Sequence, residues 1–72
     1  MKKQYAVLGL GNFGVSVALS LQQLGCEVIA VDEDMEKVQE ISDHVSYAMR
    51  ADIGEPSLMK SLGARNLDGL IV

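Results

Sequence analysis

Residues Gly9-Leu10-Gly11-Asn12-Phe13-Gly14 constrain this 72-residue chain more than any other stretch, because of what lies on either side of them. Tyr5 to Leu10 is an apolar run of strand character, and Val15 to Leu24 repeats its apolar residues with the spacing of an amphipathic helix. Three glycines at a passage from strand to helix have separate uses. Gly9 lets the chain turn tightly out of the strand, Gly11 lets the backbone approach a pyrophosphate, and Gly14 lets the helix lie close on the sheet. The amides of Asn12, Phe13 and Gly14 fall in the first turn of that helix, where N–H groups lack intrahelical partners and the positive end of the macrodipole attracts phosphate. A nucleotide is the first ligand this pattern suggests.

A second apolar run, Glu27 to Val31, ends in Asp32, eighteen positions after Gly14. A carboxylate at that distance is placed to accept hydrogen bonds from both hydroxyls of a ribose. Glu33 and Asp34 follow it, and three consecutive acids with no Arg close by in sequence disfavour a ribose 2′-phosphate, hence an NADP-type ligand, against NAD or other adenosine nucleotides. Each part also has a purely structural use: glycines serve turns, Asp34 can cap the next helix, and Glu33 can sit on a solvated face.

The net charge of −4 leaves no basic footprint for nucleic acid or an anionic membrane surface. Cys26 is the single cysteine, so no internal disulfide is possible, which fits a reducing compartment. No apolar run has transmembrane length. A chain this short buries only about 60% of its unfolded surface, enough for one small, marginal core.

Strands are expected at about Gln4 to Gly9, Glu27 to Val31, Val45 to Met49, and from near Leu67. The first helix is expected from Phe13 to Leu24, with Gly14, Ala18 and Leu21 toward the core and Gly25 ending it. A second runs from Met35 to Ser42, with Met35, Val38 and Ile41 inward, and a third starts at Pro56, carries Leu58, Met59 and Leu62, and has Gly63 past its end. Alternation of this kind requires right-handed crossovers, a parallel sheet in the order 3-2-1-4, and a β-α-β-α-β-α-β chain with two helices on one face and one on the other. This is an α/β fold, the first half of a Rossmann-like doubly wound sheet. Leu70-Ile71-Val72 stops within an apolar strand, so residues 1–72 are expected to be the N-terminal part of a nucleotide-binding domain about twice as long.

Tyr5 to Gly14, Val28 to Asp32, and Ala51-Asp52 leading to Leu62-Gly63 together resemble the N-terminal lobe of RCK domains, the regulators of potassium conductance, and most closely the TrkA- and KtrA-type subunits of bacterial potassium uptake systems. The resemblance covers nearly the whole chain. It implies a non-catalytic regulatory subunit, held in the cytoplasm at the inner face of the membrane by a potassium channel or transporter. It further implies dimers assembling into a ring that changes shape when ATP, ADP, NAD or NADH occupies the glycine loop. By the same resemblance, Gly9, Gly11, Asn12, Phe13 and Gly14 form the phosphate loop, Asp32 takes the ribose and Asp52 the adenine edge.

Asn12 stands where several KtrA-type proteins carry Arg, and Asp52-Ile53-Gly54 stands for their usual Asp-Ala-Thr. Asp52 also has the reading of a strand-end turn residue, and Arg50 that of a side chain neutralising a nearby acid or reaching a phosphate. His44 reads as an exposed loop residue, and neither a catalytic residue nor a metal site is expected. Dehydrogenases share the first two motifs, so the cofactor half of an NAD-dependent oxidoreductase is the competing expectation. A lobe serving only dimerisation is a third.

Overall fold

Two strands of this chain have apolar middles, Tyr5–Leu8 and Val28–Val31, and they occupy the centre of the sheet, where both faces are covered. In the computed structural model, which describes residues 2–72, the elements are β1 (Gln4–Leu8), α1 (Asn12–Gln23), β2 (Glu27–Asp32), α2 (Met35–Ile41), β3 (Tyr47–Arg50), α3 (Pro56–Gly63) and β4 (Gly69–Ile71). All pairings are parallel and the order is β3-β2-β1-β4, as the alternation predicts.

Alternation along the central strands divides the core in two. Val7, Val28 and Ala30 pack with Leu10 and with Ala18, Val38 and Ile41 of α1 and α2, while Ala6, Leu8, Ile29 and Val31 pack with Leu58 and Leu62 of α3. α1 ends as predicted: Gly25 has φ +88°, its N–H donates to the carbonyl of Gln22, and the N–H of Cys26 donates to the carbonyl of Leu21. These two bonds satisfy carbonyls that the last turn would otherwise leave open.

Several boundaries depart from the sequence reading for local reasons. β3 starts at Tyr47 rather than Val45, because Gln22 Oε1 accepts from both the amide and the hydroxyl of Ser46, at 3.1 and 3.2 Å, and takes that residue out of the ladder. β4 starts at Gly69 rather than Leu67: Asp68 exchanges bonds with Gln4, giving its N–H to the carbonyl and accepting the Gln4 N–H at 2.8 Å. Gly69 then lies beneath the Tyr5 ring, where an added Cβ would come within 2.6 Å of Tyr5 Cε1.

Gly63 is the last residue of α3, not the residue beyond it. The left-handed position is taken by Asn66 at φ +59°, a residue type whose short amide tolerates that region. Met35, expected in the inward stripe of α2, is half exposed because it is the first helical residue, where nothing covers it.

Candidate functional site

The fold brings the turns after β1, β2 and β3 to one edge of the sheet, the carboxyl ends of the strands, where open α/β sheets bind ligands. At the first of these, Gly9 has φ +97°, a conformation that favours glycine, and its N–H donates to the carbonyl of Val31 at 2.8 Å. A Cβ on Gly14 would run into the Gly9 carbonyl and lie 3.5 Å from Val7 Cγ1, so α1 can approach β1 this closely only with glycine there. Both expected uses are seen.

Gly11 is different. It is the N-cap residue of α1 with φ −72° and ψ −173°, extended backbone that any residue adopts, and an added Cβ would meet nothing within 4 Å. Neither conformation nor packing within the chain calls for glycine at this position. Around it the first turn of α1 is open: no side chain caps it, and the amides of Asn12, Phe13 and Gly14 have no acceptor among the described residues. The Asn12 side chain is exposed, and Phe13 is 72% exposed on the same turn.

Asp32 ends β2 and faces this loop. Its Oδ2 accepts the Leu10 N–H at 2.7 Å and its Oδ1 accepts the Asp34 N–H at 2.8 Å. These bonds, led by that from Asp34, hold its carboxyl below the usual carboxylate range. Asp32 therefore has a structural task that the sequence reading did not assign, tying the glycine loop to the end of β2. Each of its oxygens keeps a second acceptor direction. Asp34 caps α2, accepting the Glu36 N–H at 2.9 Å, the structural alternative raised from the sequence.

Asp52 also makes the local turn anticipated as one of its readings: its Oδ1 accepts the Gly54 N–H at 2.9 Å and its carbonyl accepts the Glu55 N–H at 3.0 Å. Its carboxylate lies beside that of Glu33, which raises the Glu33 carboxyl above its ordinary value by competition for one proton. Arg50 is opposite Asp32 in the β2–β3 register and draws Glu33 the other way. An arginine does stand at this edge, although none lies close by in sequence: Arg50 is beside the acids it was read as able to neutralise.

Tyr47 and Arg65 lie elsewhere, with the guanidinium 5.0 Å from the ring centroid. Among the described residues no group of three His, Cys, Asp or Glu side chains could hold a metal ion, and no helix is long and apolar enough to cross a membrane.

Residues 5–72 match the TrkA-N domain. The chain belongs to that family. This TrkA-N domain is 46% identical over 72 residues to Ktr system potassium uptake protein C of Bacillus subtilis (strain 168), an alignment covering 100% of the chain and 33% of that protein. Its identity to Ktr system potassium uptake protein A of the same organism is 43% over 70 residues, 97% of the chain and 32% of that protein. With the protein A of Vibrio alginolyticus it is 36% over 70 residues, again 97% and 32%. The TrkA-N chain thus spans about a third of the length of these relatives, and its likeness to RCK-type potassium uptake components is as the motifs implied.

Proposed function

We propose that this chain is the nucleotide-binding part of a regulatory component of a membrane potassium uptake system. The observation that carries the proposal is Gly11, a glycine that the fold does not require, standing over a helix start whose amides have no partner among the described residues. A pyrophosphate against Gly11 would receive those N–H groups and the positive end of the α1 dipole. The relatives named for potassium uptake supply the context.

In this reading Gly9 and Gly14 shape the loop, Gly11 admits the phosphates, and Asn12 and Phe13 present backbone amides. Asp32 accepts ribose hydroxyls on the acceptor directions its backbone bonds leave free, and Asp52 borders the adenine. Residues 1–72 are the N-terminal part of the domain, which carries no catalytic residue. It sits on the cytoplasmic side of its membrane partner in dimers that assemble into a ring. An adenine nucleotide gates the partner by binding one ring shape more tightly than another, with a coupling of about 1–3 kcal/mol per site.

A thermal-shift titration with ATP, ADP, NAD, NADH and NADPH tests the binding step, because a ligand of the folded state raises the melting point. Stabilisation that includes ADP is expected. No shift with any of the five would contradict the proposal, and a response to NAD and NADH without ADP would favour the cofactor half of an oxidoreductase.

A further inference from the structure

We propose that the amino edge of the sheet, at the far end of the strands from the α1 loop, is a docking site for an acidic peptide segment of a partner protein. Gln4, Glu27 and Tyr47 are the first residues of β1, β2 and β3, so this edge is separated from the glycine loop by the length of the strands. The proposal stands independently of the nucleotide reading.

Two cavities meet here. One, of 270 Å³, is bounded by Ile29 and Tyr47, the other, of 400 Å³, by Lys2 and Lys3, and Gln4 and Arg65 line both. Arg65 is held between them: its N–H donates to the carbonyl of Leu62 at 3.1 Å, Asn66 turns the chain away at φ +59°, and the guanidinium lies 5.0 Å from the centroid of the Tyr47 ring. Three of the six Lys and Arg residues of the chain thus line one edge. The acids beside them are committed to Gln4, Glu27 Oε2 accepting from its Nε2 at 2.9 Å and Asp68 Oδ2 from its N–H at 2.8 Å. Carboxylates for these cations have therefore to come from outside the described residues.

The kind of partner follows from the side chains. Tyr47 is 56% exposed although it is large and aromatic, and tyrosine and arginine are the residue types that concentrate binding energy at protein interfaces. A guanidinium stacked on a ring keeps its planar fork ordered for a bidentate carboxylate, and the ring and Ile29 give a neighbouring apolar side chain a wall to lie on. An anionic membrane or a nucleic acid is a poorer match. The chain carries a net charge of −4, and Glu27 and Asp68 stand within the cavities, where they repel a continuous array of phosphates but accept hydrogen bonds from the amides of a peptide.

The test is an amide-resolved NMR titration of the intact 15N-labelled protein with a capped peptide alternating glutamate and leucine, with its lysine–leucine counterpart, and with inorganic phosphate. The acidic peptide is expected to shift Gln4, Tyr47, Arg65 and Asn66 while Gly11 to Gly14 stay still, and to bind more weakly as salt rises from about 0.05 M to about 0.5 M. Arg65→Glu, an exposed change, should weaken the peptide about tenfold or more with the melting point moved by no more than about 2 °C. Lys2→Glu with Lys3→Glu, ahead of β1, should weaken it by a smaller factor. No shifts at this edge, or equal shifts with the lysine peptide, would overturn the proposal. So would phosphate shifting the same amides as strongly as the peptide, which would reduce the edge to a bare anion site. Co-sedimentation with phosphatidylserine vesicles that Arg65→Glu abolishes, in the absence of peptide binding, would overturn it in favour of a membrane.

Discussion

Two helices start at the same edge of this sheet, after neighbouring strands, and their first turns are completed in opposite ways. α2 is closed from within: Asp34 accepts the Glu36 N–H, and Glu36 adds an acid to the first turn. α1 has neither a side-chain cap nor an acid in its first turn, and Asp32, the acid best placed to provide one, is turned to Leu10 and Asp34 instead. A helix end that only has to be stable is finished like α2, since a cap is worth about 1 kcal/mol. The open end of α1 forgoes that stabilisation beside a glycine the fold does not need, as expected where the missing acceptor comes from a ligand.

Substitutions can break the comparison at several strengths. Gly14→Val should have the largest effect: a side chain driven into the Gly9 carbonyl and Val7 is expected to cost about 3 kcal/mol or more in urea unfolding and to abolish nucleotide binding. Asp32→Ala should lower stability by about 2 kcal/mol, after allowing for solvent screening, by releasing the Leu10 and Asp34 amides. It should also weaken ADP by tenfold or more in calorimetry. Lost affinity with unchanged stability would mean the tie to the glycine loop has no weight.

Gly11→Ala separates the two helix ends most sharply. Its unfolding free energy should stay within about 0.5 kcal/mol, because a poorer N-cap and a less flexible unfolded chain offset each other, while ADP affinity falls about tenfold. Asp34→Ala is the mirror image, with about 1 kcal/mol of stability lost and ADP affinity within about twofold. If Asp34→Ala instead impaired binding and Gly11→Ala did not, the roles of the two helix ends would be reversed.

The smallest effect is in pH. The folded-state pKa of Asp32 is lowered, so its contribution to stability is complete above about pH 4 and is lost as pH falls through the folded value. Glu33, raised by Asp52, has the opposite slope: it favours folding below its ordinary value and ceases to as pH rises through the raised one. Asp32→Asn should flatten the acid limb of a stability–pH curve, and Glu33→Gln should remove the counter-slope above it.

Strand order, the two faces and the close approach at Gly14 were legible in the sequence because each follows from a repeated pattern: apolar runs, helical spacing, and glycines at a strand-to-helix passage. The features that sequence reading missed depend on residues far apart along the chain. Gln22 drawing Ser46 out of β3, and Asp68 and Gln4 delaying β4, become visible only once strands are in register. At the candidate site, the turn at Gly9 and the place of Asp32 at the end of β2 were recognisable from spacing. The second task of Asp32 was not, because a carboxylate's choice between a ribose and a neighbouring amide is decided by loop geometry.

The most direct measurement is an amide-resolved NMR titration of the 15N-labelled protein with ADP. The largest shifts are expected at Gly11, Asn12, Phe13 and Gly14, with Glu36 at the capped end of α2 nearly still. Equal shifts at both helix ends, or shifts confined to residues away from the α1 loop, would contradict it.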